Sequence, residues 1–169
     1  MNNTKKITYC AMIAAGGMIL SWVEHLIPFD FGIPGIKLGL ANVATLIALY
    51  LYGTRYALAV SLVRIVLSCL LFSGVVPMAY GLAGGMLSLC GMVLLKKTDR
   101  FSLTGVSVSG GVLHNIGQIL VAWAVFGTRQ IFLYLPILTV TGTLTGVLIG
   151  AVAQIAVKRL NFDSDQPKN

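Results

Sequence analysis

Six long apolar segments dominate this chain and decide what it can fold into. Only 10% of its 169 residues are charged and 57% are hydrophobic, whereas soluble domains carry about 25% charged residues. Such a chain cannot cover a globular surface with polar side chains, so it is predicted to be an integral membrane protein. The segments fall at about residues 7–27, 38–52, 56–73, 77–95, 101–126 and 131–157.

These segments predict an all-α integral membrane protein, a single bundle of six transmembrane helices over residues 1–160 with a short polar cytoplasmic tail at 161–169. The second segment is short for a full span of about 20 residues. It follows the stretch PFDFGIPG at 28–35, where proline and glycine favour turns and should fold the chain back over one membrane face. The first segment lacks a signal-peptide cleavage site and is predicted to be a retained helix.

The basic residues predict the orientation of the bundle. Lys37 and Arg129 lie at the predicted outer side. Eight others lie at the opposite ends of the segments: Lys5, Lys6, Arg55, Lys96, Lys97, Arg100, Lys158 and Arg159. Cytoplasmic ends carry the excess of lysine and arginine, so both termini are predicted to be cytoplasmic. The net charge of +7 is thereby explained without a nucleic-acid partner.

Polar residues inside the apolar segments are the candidate binding residues. In GVLHNIGQ, at 111–118, His114 and Gln118 share a helix face, with Asn115 at its edge. Arg64 lies deep in the third segment, where an arginine costs at least ~2.5–3.5 kcal/mol and should face the bundle interior. The outer half of the bundle is expected to gather a pocket from Arg64, Lys37, His114, Asn115, Gln118, Glu24, Trp22 and Asn42.

Basic groups outnumber acids in this predicted pocket, which favours an anionic or zwitterionic ligand. Pro34 and Gly35 would start a half-helix whose N-terminus attracts anions beside Lys37. Competing interpretations stay open. The His-Asn-Gln group is also typical of interhelical hydrogen bonding, and Arg64 of a structural ion pair with Glu24. Lys37 also fits a snorkelling residue, and Trp22 an interfacial belt residue.

Small residues four apart predict close helix contacts. Gly81 and Gly85, and likewise the series Gly142, Gly146 and Gly150, favour packing within the bundle. For Ala11 and Ala15 in the first segment, docking of a partner competes with internal packing.

Catalytic motifs are missing from the sequence. Nothing resembles a nucleotide-binding loop, HExxH, DDxxD or a nucleophile elbow. The chain has five acidic residues, three of them predicted to be cytoplasmic, which cannot build a two-metal diphosphate site. Enzymatic activity of the chain alone is therefore disfavoured, and no catalytic residue, metal or cofactor is predicted.

Four stretches carry a resemblance to a known family: PGIKLGLANVATLIALYLYG, YGLAGGMLSL, GVSVSGGVLHNIGQILVA and YLPILTVTGTLTGVLIG. They resemble the bacterial Gx transporter family, also described as heptaprenyl diphosphate synthase component I, over roughly residues 7–157. Its layout is similar to that of the S components of energy-coupling factor transporters. The resemblance implies a bacterial cytoplasmic membrane protein with an outward-facing solute pocket. It also implies that Ala11 and Ala15 dock an energy-coupling transmembrane subunit with its ATPases.

Three functions follow as hypotheses. The first is S-component-like binding and transport of a small anionic or amphipathic solute, with quinone-, prenyl- or flavin-related ligands all open. The second is an accessory membrane subunit of heptaprenyl diphosphate or menaquinone synthesis. The third is a membrane anchor for a flavin-linked electron-transfer complex, with no ligand of its own.

Overall fold

The computed structural model describes residues 2–26 and 39–164, and all regular structure in this part of the chain is helical. Five segments are long and apolar enough to cross a membrane. The α-helices are α1 (Asn3–Leu26), α2 (Asn42–Leu51), α3 (Thr54–Ser68), α4 (Val75–Lys97), α5 (Leu103–Phe126) and α6 (Leu135–Ser164). The prediction of a multi-pass all-α membrane protein is confirmed.

The expected sixth full span is not found among the described helices, because α2 has only ten residues. At 1.5 Å per residue it is about 15 Å long, half of a ~30 Å hydrocarbon core. A π turn at Cys69–Ser73 extends α3, and a 3-10 turn at Arg129–Tyr134 precedes α6. Each extension belongs to one membrane-spanning segment with its helix.

Local sequence signals set the ends of α5. The Ser102 hydroxyl accepts a hydrogen bond from the backbone N–H of Gly105 at 3.1 Å, which caps the start of the helix. At the other end Gly127 adopts a left-handed conformation, with φ of 68°. Its N–H donates to the Trp123 carbonyl at 2.9 Å, the usual way in which glycine ends a helix.

Glycines bring α5 and α6 into backbone contact. A Cβ on Gly146 would lie 2.6 Å from Cα of Val108, and one on Gly150 would lie 2.8 Å from Cα of Thr104. Helices in lipid associate through such close packing because no hydrophobic force drives them together. The predicted packing role of the α6 glycines is confirmed, and the register shows that α6 runs antiparallel to α5.

The glycines of α4 pack against two neighbouring helices, α3 and α5. A Cβ on Gly81 or Gly85 would lie 3.1 Å or 2.6 Å from side-chain atoms of Ile65 in α3. One on Gly84 would lie 2.8 Å from the His114 carbonyl oxygen of α5. The predicted close contact of Gly81 and Gly85 is therefore made with α3, while Gly84 serves α5.

The short helix α2 runs from the middle of the bundle to one end. Just before it, the Gly39 N–H meets Glu24 near the end of α1. At its other end, Lys96 Nζ of α4 donates to the Leu49 carbonyl at 2.7 Å and lies 4.6 Å from the centre of the Tyr50 ring. These contacts make α2 antiparallel to α1.

This helix order collects most of the basic residues at one end of the bundle. The start of α1, the α2–α3 and α4–α5 connections and the last turns of α6 all lie there. A mainly aliphatic core that includes Leu46, Leu49, Val60 and Val106 fills this half. The basic end agrees with the predicted cytoplasmic face, and its side of the membrane stays a prediction.

Candidate functional site

A small cavity lined in part by polar side chains lies in the half of the bundle opposite the basic end. Its volume is about 30 Å³. Side chains or backbone from α1, α3, the π turn, α4, α5 and Gly39, three residues before α2, line it. The lining residues are Ser21, Glu24, Gly39, Arg64, Ile65, Ser68, Cys69, Pro77, Gly81, His114 and Gln118. Four of the eight predicted ligand-binding residues thus meet here: Glu24, Arg64, His114 and Gln118.

Arg64 is the cationic centre of the cavity and is only 6% exposed. Its Nη2 donates to the Asn42 Oδ1 at 3.2 Å, and its Nη1 makes a long contact of 3.5 Å with the Ser21 hydroxyl. Nε has no hydrogen-bond partner among the described residues. Asn42, predicted as a ligand residue, therefore holds Arg64 from the start of α2.

Glu24 supplies the negative charge on the facing helix. It is 8% exposed and interacts electrostatically with Arg64. Its Oε1 accepts a hydrogen bond from the backbone N–H of Gly39 at 2.5 Å. Gly39 has φ of +82°, and a Cβ there would lie 3.1 Å from the His114 ring. Glycine is required at this position for both reasons.

His114 and Gln118 form the α5 wall of the cavity. Their side chains, one helical turn apart, come together with the Gln118 Nε2 and His114 Nε2 atoms 3.0 Å apart. The His114 ring also packs on α4, because a Cβ on Gly84 would lie 2.9 Å from its Nδ1. The predicted shared face is therefore confirmed, and it points between α4 and Gly39.

Two predicted residues, Asn115 and Trp22, are not brought to the cavity. Asn115 turns to the other neighbour, where its Nδ2 donates to the Leu138 carbonyl of α6 at 2.6 Å. Trp22 is 46% exposed on the outside of the bundle. Lys37, like Pro34 and Gly35, lies outside the described residues.

Trp22 lines a separate apolar groove on the outer surface. This groove has a volume of about 440 Å³ and is bounded by Ala15, Met18, Ile19, Trp22 and Phe72. Its walls come from α1 and the π turn. The same two elements line the polar cavity through other residues, so the cavity and the groove are close neighbours.

Sequence reasoning missed part of the lining. Ser21 precedes Glu24 by three residues and therefore shares its helix face, a signal that was available. Cys69 and Pro77 line the cavity as well but are not among the predicted binding residues. Cys69 begins the π turn and Pro77 follows it in α4, and the sequence carries no recognisable signal for this turn.

The cavity is suited to holding a small polar or anionic group. It offers a guanidinium, an imidazole, an amide and hydroxyls to a guest, with one carboxylate close by. No group of three His, Cys, Asp or Glu side chains that could hold a metal ion occurs within residues 2–26 and 39–164.

Five apolar spans around a buried polar cavity define a multi-pass α-helical membrane protein. Residues 13–156, most of the chain, match the family described as heptaprenyl diphosphate synthase component I. The chain belongs to this family. No curated protein and no solved structure matches it.

Proposed function

We propose that this protein is a membrane-integral accessory subunit of heptaprenyl diphosphate synthesis that holds an isoprenoid-type amphipath by its anionic headgroup. Membership of the family supports a role in heptaprenyl diphosphate synthesis. The membrane-spanning helices support an accessory subunit that works in the membrane. The observation that carries the ligand class is Arg64, a buried cation at the cavity whose Nε has no hydrogen-bond partner among the described residues.

The surroundings of Arg64 favour a binding role over a purely structural one. A guanidinium has five N–H donors, and the oxygens that it contacts on Asn42 and Ser21 are neutral. Besides Arg64 Nε, the Ser68 hydroxyl on the cavity wall has no hydrogen-bond partner among the described residues. Buried polar groups are normally satisfied, and an anionic oxygen placed between these two would accept from both.

The size of the cavity restricts what part of a ligand it can hold. About 30 Å³ admits a small polar group, whereas pockets for whole drug-sized molecules measure about 300–1,000 Å³. The neighbouring groove of about 440 Å³ offers an apolar surface for a hydrocarbon chain. A polar cavity beside an apolar groove favours an amphipath over a fully water-soluble solute.

Binding of farnesyl diphosphate to the purified protein in detergent micelles tests this proposal. Arg64→Gln removes the charge and is expected to weaken binding by about tenfold to a hundredfold, because charge-assisted hydrogen bonds are lost. Arg55→Gln is the matched control, since Arg55 is exposed at the start of the same helix and should leave affinity unchanged. Equal affinity of wild type and a folded Arg64→Gln variant would contradict the proposal.

A second candidate function is S-component-like transport through the same cavity. The observation in its favour is that Ala11 and Ala15 are exposed on the outer face of α1. In this function the exposed face docks an energy-coupling transmembrane subunit with its ATPases. An anchor for an electron-transfer complex would use such a face as well, but would need no ligand at Arg64.

A further inference from the structure

The carboxylate of Glu24 lies between α1 and the start of α2, as a bound anion would. Its carboxylate accepts from the Gly39 N–H, lines the same cavity as Arg64 and attracts it electrostatically. A backbone N–H and a guanidinium are also the donors that an anionic headgroup would use. Glu24 therefore stands where part of such a headgroup would bind.

No other described acid can play this part. Among the acidic residues whose side chains the structure describes, the second is Asp99. It follows α4 at the basic end of the bundle. Glu24 is thus the sole described counter-charge for Arg64, whose hydrogen-bond partners within the described residues are the neutral Asn42 and Ser21.

Two negative charges cannot share this cavity without cost. Like charges a few ångströms apart disfavour each other, most strongly where solvent is excluded. A headgroup that reaches Arg64 must enter a cavity of about 30 Å³ that the Glu24 carboxylate already borders. Binding of an anion is therefore opposed by Glu24 unless the carboxylate moves or loses its charge.

We infer that Glu24 is an internal competitor for the anionic headgroup at Arg64, and so limits the affinity and charge selectivity of the site. This inference rests on the proposed function. The same carboxylate links the end of α1 to Gly39, three residues before α2. Displacing it would break that link, so occupancy of the cavity is coupled to the contact between α1 and the start of α2.

Charge-selective binding tests the inference. Glu24→Gln retains an oxygen that can accept from Gly39 but removes the charge. It is expected to bind farnesyl diphosphate roughly tenfold or more tightly than wild type, the scale of a like-charge effect. Affinity for the uncharged alcohol farnesol should not change. Asp99→Asn is the matched control at the far end of the bundle and should leave both affinities unchanged.

If Glu24→Gln destabilises the protein, the melting temperature measured with and without ligand still tests the inference. Removing the partner of Arg64 should lower the melting temperature without ligand, and farnesyl diphosphate should then raise it by more than in wild type. Glu24→Ala, which also lacks the charge, should show the same larger rise. If neither variant binds the diphosphate more tightly while wild-type binding still requires Arg64, the competitor role is wrong and the proposed function stands. If wild type and Glu24→Gln both fail to bind, the proposed function fails together with this inference.

Discussion

At the scale of the residue, two adjacent side chains on α5 face opposite neighbours. His114 points toward α4 and Gly39 at the cavity, whereas Asn115 reaches the Leu138 carbonyl of α6. Consecutive residues on a helix are about 100° apart, so neighbours in sequence readily contact different partners. We therefore assign His114 to the candidate site and Asn115 to helix packing.

Replacing Asn115 by alanine tests this separation. The variant should lose about 1 kcal/mol of stability, since interhelical hydrogen bonds in membranes contribute ~0.6–1.7 kcal/mol, and should bind farnesyl diphosphate as wild type does. Melting temperature and affinity are measured together. Ser109→Ala is the control, because the Ser109 hydroxyl donates to the Val106 carbonyl of its own helix. A loss of affinity in the folded Asn115→Ala variant would show that Asn115 contributes to ligand binding.

At the scale of the element, the two faces of α1 have different roles. Its inner face contributes Ser21 and Glu24 to the cavity and packs Gly17 against Arg64. Its outer face exposes Ala11 and Ala15, and a Cβ on the nearby Gly16 would meet nothing within 4 Å. An open, small-residue surface of this kind permits close approach of a further helix.

Bulky substitutions on this outer face distinguish transport from the other hypotheses. Ala11→Trp and Ala15→Trp should abolish co-purification with an energy-coupling subunit if the protein docks one. Binding of farnesyl diphosphate should persist in Ala11→Trp, because Ala11 lines neither the cavity nor the groove, whereas Ala15 borders the groove. Co-purification from detergent-solubilised membranes measures the first effect and titration the second. Unchanged co-purification would favour the hypothesis of an accessory subunit or that of a membrane anchor.

At the scale of the whole molecule, the bundle has a basic end and a polar half. The basic residues gather around the two ends of the described chain and two of its connections, while the cavity lies in the other half. Because the cytoplasmic side of membrane proteins carries the excess of lysine and arginine, we expect the cavity to face outward.

Reporter fusions test the orientation directly. Fusions after Lys97 and after Lys158 should be active as cytoplasmic reporters, and fusions at Asp30 and Thr128 as external ones, because positive charge retains a loop in the cytoplasm. Enzymatic reporters specific to each compartment measure this in cells. The reverse pattern at any two of the four sites would overturn the outward-facing cavity.

The sequence alone determined the membrane class and the long apolar spans, because composition and hydropathy are local properties. It also predicted that Glu24, Arg64, His114 and Gln118 belong together. Only the tertiary structure decided that α2 is half-length, since the short apolar run is compatible with either length. It alone placed the Gly39 N–H on Glu24, turned Asn115 to α6 and left Trp22 outside. Those outcomes depend on contacts between residues far apart in the chain, which no local pattern encodes.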